Sequence, residues 1–274
     1  MVNNGQKMYF AIALLTLCVK MSLIVSYRST DFEVHRNWLA LTHSLPLKEW
    51  YFENTSIWTL DYPPFFAYFE WILSQIAWYI GLRDIFVISE FPQVSDGIVL
   101  FQRFSVIVSD FVLIWATIRF LEFKRDERLV FTQGTKSIVY GLVVLNAGLL
   151  LVDHIHFQYN GMLIGLLVLC VDLARRKSYL CLALAFSALV LFKHLFLTLA
   201  PVFAVFLWRS YCCENGSLHA YVLMLYLSIS LCHGYHIFHR VVHSRANTGL
   251  LLSYPAISLA YNITNILIST NTTT

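Results

Sequence analysis

The feature that most constrains this fold is an apolar run, MYFAIALLTLCVKMSLIVSY (8–27), in which Lys20 is the one charged residue. About 20 mostly apolar residues let a helix cross the hydrocarbon core of a bilayer. No small-x-small cleavage site follows, so we expect the run to stay in place as a signal anchor. The whole chain is 58% hydrophobic and 13% charged, against about 25% charged in soluble domains. The sequence therefore predicts an integral membrane protein of the all-α, multi-span class.

The pattern of apolar stretches and basic loops predicts the topology. Short loops rich in Lys and Arg stay on the cytoplasmic side of a membrane. Two loops are of this kind, 124–136 and 175–177, and two candidate spans separate them, so both belong on one side with the N terminus. Residues 28–102 then form one long loop on the lumenal side. The candidate spans are 8–27, 103–123, 137–152, 161–174, 178–192, 195–208, 220–238 and 249–268.

A further apolar stretch, PPFFAYFEWILSQIAWYIG (63–81), should not cross. By the charge count only one crossing, 103–123, lies between the first span and the basic loop 124–136. Glu70 and Gln75 interrupt the stretch, and its Trp and Tyr residues favour the headgroup level. The Pro-Pro pair suits the start of a helix. We predict an interfacial helix lying along the membrane; the alternative is an ordinary span with 82–102 cytoplasmic.

Polar residues gather on the lumenal face from three parts of the sequence. The loop 28–102 holds nine of the chain's 16 acids and a sequon that starts at Asn54, usable only on a lumenal side. Residues 151–161 and 192–194 arrive at the same face. Such a cluster could be a transport gate, a structural network or an active site. The spans carry few acids, whereas transporters place ionisable groups near the midplane, so the pattern favours surface chemistry.

Two carboxylates are the leading catalytic candidates. Asp31 follows the end of the first span, which tethers its backbone and leaves its side chain facing a lumenal cavity; the alternative is an ordinary solvated acid. Asp61 stands directly before the Pro-Pro helix start, where it is either an N-cap-like anchor or catalytic. Lys193 and His194 end a span, where Lys193 either snorkels or holds an anionic headgroup.

The remaining motifs indicate no metal and no nucleotide cofactor. His154 and His156 are spaced i, i+2, which does not put two ligands on one helical face, so packing at a span end is the favoured role over zinc binding. His233, His236 and His239 are interpreted as a membrane-interface stripe. No Gly-rich phosphate loop or nucleotide-sugar motif is present, the six cysteines show no disulfide framework, and no nucleic-acid partner is expected.

Three strings carry a resemblance to a known family: TDFEVHRNWLALTHSLPLKEWY (30–51), WTLDYPPFFAYFEW (58–71) and VDHIHFQYNG (152–161). With LFQRFSVIVSD (100–110) and LFKHLFLTLAP (191–201), they closely resemble the endoplasmic-reticulum glucosyltransferases that use dolichyl-phosphate-glucose. These enzymes extend the lipid-linked oligosaccharide used for N-glycosylation and have the GT-C architecture. The strings look more like the sibling that adds the second glucose than the one that adds the first.

The resemblance implies roles for particular residues. It implies that Asp31 is the catalytic base and that Asp61 shapes or binds at a lumenal active site. A β-linked donor and an α-1,3 product require inversion in a single displacement, so one carboxylate must take the acceptor's proton. The anionic phosphate leaving group needs charge stabilisation rather than protonation, and no metal. The expected substrate-binding residues are Glu33, Arg36, Tyr62, His154, His156, Gln158, Lys193 and His194.

The resemblance covers residues 28 to about 210, and we expect 210–274 to be a divergent tail within one transmembrane domain. The chain resembles the N-terminal half of such an enzyme. Three functions stay open from the sequence: a glucosyltransferase with a dolichol-linked donor and oligosaccharide acceptor, a non-catalytic membrane subunit or truncated product of the same family, and a transporter. The sequence leaves the oligomeric state open.

Overall fold

A computed structural model of the protein describes residues 4–123 and 131–212. These residues form helices and no strand, which confirms the predicted all-α class. The α-helices are α1 (Asn4–Ser22), α2 (Thr30–Ser44), α3 (Pro64–Tyr79), α4 (Asp96–Ser109), α5 (Phe111–Leu121), α6 (Gln133–Val144), α7 (Ala147–Leu149), α8 (Asn160–Arg175), α9 (Tyr179–Phe192) and α10 (Ala200–Leu207). Short 3-10 helices cover Asp84–Phe86 and His194–Leu199, and π-helices cover Leu150–Phe157 and Trp208–Cys212.

Several helices are suited to a bilayer. Among the described residues, three continuous stretches are long and apolar enough to cross: Asp96–Leu121, Gln133–Phe157 and His194–Tyr211. They correspond to the predicted spans 103–123, 137–152 and 195–208. The chain is thus a membrane protein with several apolar helices, and helices α4 and α5 follow each other as one span.

Three of the other predicted spans correspond to helices, and two lie outside the described residues. The stretches 8–27, 161–174 and 178–192 correspond to α1, α8 and α9, and of these α9 is a shorter apolar helix. The predicted end of the first span was wrong, because α1 ends at Ser22 and residues up to Ser29 form turns and irregular structure. The spans 220–238 and 249–268, and the histidine stripe between 233 and 239, lie outside the described residues.

The two ends of the helix bundle differ in chemistry. At one end, the Arg175 guanidinium donates to the carbonyl of Phe120 at 3.0 Å, and Lys136 donates to Glu122 at 3.1 Å. The ends of α5 and α8 and the start of α6 therefore meet here, as the shared side of the basic loops predicts. We call this the basic end and define it by Arg119, Lys136, Arg175 and Arg176. The opposite polar end is defined by Asp31, Gln158, Asn160 and Lys193.

Helix α3 begins at Pro64, with Pro63 as its N-cap residue, as the Pro-Pro pair predicts. It packs Phe66, Leu73 and Ala77 into the core against α2 and leaves an apolar, aromatic face exposed. At 16 residues it is not among the three helices suited to crossing. Its interfacial orientation stays a prediction.

Close packing of α5 against α8 requires a glycine. A Cβ at Gly165 would lie 2.6 Å from the backbone nitrogen of Leu113, inside the range that side-chain carbons occupy. The absence of a side chain lets the two backbones touch, and this pair makes the most extensive helix contact among the described elements. This contact fixes how α8 packs against α5.

Candidate active site

Asp31 lies in the first turn of α2, where unpaired N–H groups and the helix dipole favour a negative charge. The side chain of Asp31 is 28% exposed, so a substrate can reach it. Among the described residues, both polar contacts of its carboxylate fall on Oδ2: Gln158 Nε2 donates at 2.6 Å, and His156 Nε2 lies at 3.1 Å. The hydroxyl of Ser29, the N-cap residue, donates to the carbonyl of His156. The start of α2 is thus tied to the segment before α8.

Two amide side chains continue from Asp31 to Lys193. The Asn160 amide nitrogen donates to Gln158 Oε1 at 2.8 Å and to Asp153 Oδ1 at 2.9 Å. Its oxygen accepts from the Lys193 ammonium at 3.0 Å. Asp153 is buried and also accepts from the backbone N–H of Gly161 at 2.5 Å. A continuous set of hydrogen bonds therefore joins an acid at the start of α2 to a cation at the end of α9.

Lys193 follows the last residue of α9 and is half-buried. Its Nζ lies 5.3 Å from the ring centroid of Tyr62, within cation–π distance. Burial lowers the pKa of Lys193, and the negative charges of Asp153, Asp31 and Asp61 act in the opposite direction. Three acids from three segments of the chain therefore act on this one ammonium.

Asp61 flanks the same site from the loop before α3. Pro63, not Asp61, is the N-cap residue of α3, so Asp61 does not cap that helix. Burial, followed by the charge of Asp61, raises the pKa of both Tyr51 and Tyr62. The Tyr51 hydroxyl donates to the carbonyl of Tyr62 at 2.9 Å, which holds this loop in place. A catalytic role for Asp61 stays a prediction.

The backbone beside the site adopts an uncommon conformation. Phe157 has φ of 83°, in the left-handed region that a bulky residue rarely enters. Such a residue costs on the order of 1–3 kcal/mol and is tolerated where packing over-determines it. Its ring is fully buried, 5.0 Å from that of Phe32 and 5.4 Å from that of His35. The turn ends the π-helix and directs Gln158 toward Asp31.

A neutral acid–imidazole pair supports the wall of the site. His35 Nδ1 and Glu70 Oε1 are 2.8 Å apart, and both side chains are buried. Burial, followed by the charge of Lys193, lowers the pKa of His35 to about 3, and burial raises the pKa of Glu70 well above its ordinary value. The pair is therefore an uncharged hydrogen bond. Rings surround His35, and they belong to Trp38, Tyr62, Phe66, Phe157 and Tyr159.

His154 belongs to a second polar network inside the bundle. Asp110 Oδ2 accepts from Lys20 at 2.5 Å and lies 2.7 Å from His154 Nε2, and all three side chains are buried. Arg103 donates to the carbonyl of His154 at 2.6 Å. His154 thus faces the bundle and His156 faces Asp31, so the two histidines do not converge. Among the described residues, no three His, Cys, Asp or Glu side chains are grouped to hold a metal ion.

Two further predicted substrate-binding residues, Glu33 and Arg36, lie elsewhere. Arg36 is fully buried, and its nitrogens donate to Glu33 Oε1 at 2.7 and 2.9 Å and to the carbonyls of Ile85 and Val87. Glu33 also accepts from the backbone N–H of Gln93. This guanidinium fastens the first loop onto α2 and is not available to a phosphate in this conformation. His194 is exposed beside Lys193. Substrate roles for Arg36, Glu33 and His194 stay predictions.

Sequence reasoning missed Asp153, Asn160 and the His35–Glu70 pair. Asn160 lies two residues after Gln158 in the string VDHIHFQYNG, and this nearness to a predicted site residue is the signal that could have identified it. The His35–Glu70 pair joins two helices, and no sequence pattern within either helix predicts it.

The chain is a membrane protein with a polar cluster at one end of its helix bundle, and it belongs to the ALG6, ALG8 glycosyltransferase family, whose sequence profile matches residues 16–246. This match extends past residue 210, where similarity was expected to fade. The all-α membrane fold agrees with the GT-C-like architecture expected of the family.

Individual relatives are named as glucosyltransferases. The chain is 50% identical over 202 residues, 73% of its length, to the probable dolichyl pyrophosphate Glc1Man9GlcNAc2 alpha-1,3-glucosyltransferase of Drosophila melanogaster, and covers 38% of that protein. It is 47% identical over 211 residues, 76% of its length, to the Mus musculus protein of the same name without "probable", and covers 40% of it. The chain therefore spans about two fifths of the length of these curated relatives. The predicted resemblance is confirmed.

Proposed function

We propose that this chain carries the catalytic base and the donor-phosphate site of an α-1,3-glucosyltransferase of the endoplasmic-reticulum membrane. The donor is dolichyl-phosphate-glucose, and the acceptor is the dolichol-linked Glc1Man9GlcNAc2 oligosaccharide. The observation that carries the proposal is the meeting of Asp31 and Lys193 at the polar end, joined through Gln158 and Asn160. An acid to accept a proton and a cation to hold a phosphate are the two groups that this reaction needs.

The reaction is one inverting displacement at the anomeric carbon of the donor. The acceptor hydroxyl attacks that carbon while its proton passes to the Asp31 carboxylate. The bond from the anomeric carbon to the phosphate oxygen breaks, and its electron pair leaves with the dolichyl phosphate. Lys193 stabilises the charge that develops on that oxygen, because a charge-assisted hydrogen bond in a partly buried site is strong. The β-linked donor yields the α-linked product.

The surroundings of the two groups support this division of roles. Asp31 stands at a helix start, where a negative charge is favoured, and Gln158 and His156 both contact its Oδ2. Lys193 faces the ring of Tyr62 and is half-buried, so water screens its charge only in part. The charge of Asp61 acts on Lys193, and Asp61 would bind a sugar hydroxyl of either substrate.

The proposal includes a lumenal active site. The basic end gathers Arg119, Lys136, Arg175 and Arg176, which is the composition expected on the cytoplasmic side. The polar end lies opposite. Asn54, in the sequon of the first loop, is exposed and therefore open to glycosylation if the loop is lumenal. If this orientation is correct, we expect Asn54 to be glycosylated in microsomes. The Asn54→Gln variant should lose that glycan.

The direct test is glucose transfer by this chain. Microsomes from cells that lack the relatives' activity are supplied with the chain, labelled dolichyl-phosphate-glucose and lipid-linked Glc1Man9GlcNAc2. We expect one glucose to be added in α-1,3 linkage. A rate no higher than that of microsomes with an empty vector contradicts the proposal and favours a non-catalytic product of the family.

A transporter is less well supported. The intramembrane acid Asp110 is held on one oxygen by Lys20 and His154 and is buried, as in a structural network. Ionisable groups that carry a substrate across a membrane need access to it. A charge movement that depends on substrate in reconstituted membranes is the result that would favour transport.

A further inference from the structure

The amide side chains between Asp31 and Lys193 have only one chemically consistent orientation. An ammonium only donates hydrogen bonds, and an ionised carboxylate only accepts them. Because Asn160 Oδ1 faces Lys193, its amide nitrogen must face Asp153 and Gln158. Because Gln158 Oε1 accepts from that nitrogen, Gln158 Nε2 must face Asp31. Rotating either amide by a half-turn would set donor against donor or acceptor against acceptor.

We propose that Asn160 and Gln158 are positioning residues that hold the base and the phosphate-binding cation at a fixed separation and orientation. Neither needs to touch the reacting atoms. This inference rests on the proposed function and deepens it: the two amides, which we call the amide relay, decide which oxygen of Asp31 acts and where the ammonium of Lys193 points.

The first consequence concerns Asp31. The relay and His156 both occupy Oδ2, and no other described residue contacts Oδ1 through a hydrogen bond or ion pair. Oδ1 is therefore the oxygen that can take the proton of the acceptor hydroxyl. With the carboxylate held at Oδ2 and its backbone in the first turn of α2, the base is oriented before substrate arrives.

The second consequence concerns Lys193. A direct ion pair between Lys193 and Asp31 would neutralise both groups, weakening the carboxylate as a base and occupying the phosphate site. The relay places two neutral amides between the charges instead. The ammonium has three donors, so one bond to Asn160 leaves others for phosphate oxygens. Asp153, buried and bonded to Gly161 and Asn160, fixes the plane of the Asn160 amide.

Replacing Asn160 by aspartate breaks the relay with almost no change of shape. In Asn160→Asp a carboxylate faces Lys193, Gln158 and Asp153; it can pair with the cation but cannot donate to the other two. We expect the apparent KM for the lipid donor to rise about 10-fold and kcat to fall about 10-fold, since a charge-assisted bond is worth on that order. The matched control is Asn54→Asp, at an exposed position of the first loop. If Asn160→Asp inserts in the membrane and behaves as this control does, the relay is rejected.

A second variant covers the case in which Asn160→Asp does not fold. Gln158→Glu puts a second carboxylate against Oδ2 of Asp31, and a neighbouring like charge makes a carboxylate harder to ionise. We expect the acidic limb of the kcat profile to move to higher pH. A purely structural defect lowers kcat at every pH and leaves the limb in place, and that result overturns the proposal. Gln133→Glu, at the exposed first residue of α6, is the control. The titratable groups that interact with Asp31 are His156, Lys193 and Tyr62, and the charges of Asp61 and Asp153 act on the same Lys193 and Tyr62.

Binding of dolichyl phosphate separates failure of the relay from failure of the proposed function. The purified chain in detergent is titrated with this lipid alone, without any transfer. About 10-fold weaker binding by Asn160→Asp, with unchanged binding by Asn54→Asp, supports the relay even if the unaltered chain transfers no glucose. If the unaltered chain transfers glucose and each variant transfers it as its control does, the relay is rejected and the proposed function stands. No binding by the unaltered chain rejects both.

Discussion

Oppositely charged side chains are in direct contact at one end of the helix bundle and are separated at the other. At the basic end, Asp172 is fully buried, and its Oδ2 accepts directly from Arg119 at 2.7 Å and Arg176 at 2.6 Å. At the polar end, Asp31 and Lys193 do not pair with each other; the amide relay stands between them. Directly paired charges neutralise one another and hold helices together. Charges kept apart stay available to a ligand.

The surroundings of the basic end agree with a structural role. Arg175 lies over the rings of Phe120 and Phe123 at 4.4 and 5.3 Å and also donates to the carbonyl of Phe120. Arg176 lies 4.4 Å from the ring of Phe123 and donates to the carbonyl of Arg119. Among the described residues, these side chains join α5 to α8 through ring contacts and hydrogen bonds to backbone carbonyls. The four predictions that follow separate a charge used for chemistry from a charge used for packing.

The largest expected effect is on the proposed base. Asp31→Asn should lower glucose transfer by about 100-fold or more, since general base catalysis contributes about 10²–10⁴-fold. Membrane insertion and thermal unfolding should not change. The control is Asp84→Asn, an exposed acid of the same loop. Transfer by Asp31→Asn at the rate of Asp84→Asn means that another group is the base.

The second prediction tests the cation at the polar end. Lys193→Met should weaken donor binding about 10- to 100-fold, the loss expected for a hydrogen bond to a charged group, with Lys48→Met as the exposed control. Burial lowers the pKa of Lys193 from the ordinary 10.5, so the folded protein loses this charge at a lower pH than free lysine does. Donor affinity should therefore fall as pH rises through that lowered value. In Lys193→Arg, which keeps its charge, this dependence should be absent. Equal pH dependence in both proteins contradicts a role for the ammonium.

The third prediction concerns the basic end, where stability rather than transfer should change. Asp172→Leu removes the acceptor of two guanidinium groups and should lower the free energy of unfolding by about 1.5–3 kcal/mol. The two arginines are about one third exposed and can turn toward water, which limits the loss. Transfer per folded molecule should stay unchanged. A loss of specific activity without a loss of stability would show that this end takes part in function. Thermal unfolding in detergent and transfer at matched folded protein measure the two quantities.

The smallest effect is expected at the neutral pair beside the site. Glu70→Ala leaves His35 Nδ1 unpaired and should cost about 1–3 kcal/mol, whereas Glu70→Gln keeps the hydrogen bond and should cost less. Because the pKa of Glu70 is raised, the unaltered protein should lose stability as pH rises through that raised value, and Glu70→Gln should not. Because the pKa of His35 is lowered from 6.5 to about 3, both proteins should lose stability as pH falls below 6.5. Equal alkaline sensitivity of the two proteins excludes a neutral Glu70.

The charged stretch that begins at Asp31 shows how far sequence reasoning reaches. Its four ionisable residues, Asp31, Glu33, His35 and Arg36, look equivalent in a chain that has just left a span. In the structure they occupy three different environments. Asp31 lies at the polar end, Glu33 and Arg36 pair with each other, and His35 is surrounded by aromatic rings. The order of residues along α2 allows the i, i+3 pair but does not select it over solvent.

The sequence by itself determined the class of fold and the location of the charges. Apolar stretches near the length that a bilayer requires have few other uses, and Lys136 and Arg175, the described residues of the two basic loops that make these contacts, lie at one end of the bundle. Family membership follows from strings that lie within single segments.

The tertiary structure alone decided which charges meet. Asp31, Asn160 and Lys193 come from three segments, and their contact depends on how α2, α8 and α9 end against one another, including the left-handed turn at Phe157. Local sequence sets each helix through its own periodicity, but a hydrogen bond between helices depends on their relative rotation and displacement. Packing contacts such as the one at Gly165 set those quantities, and they join residues far apart in the chain.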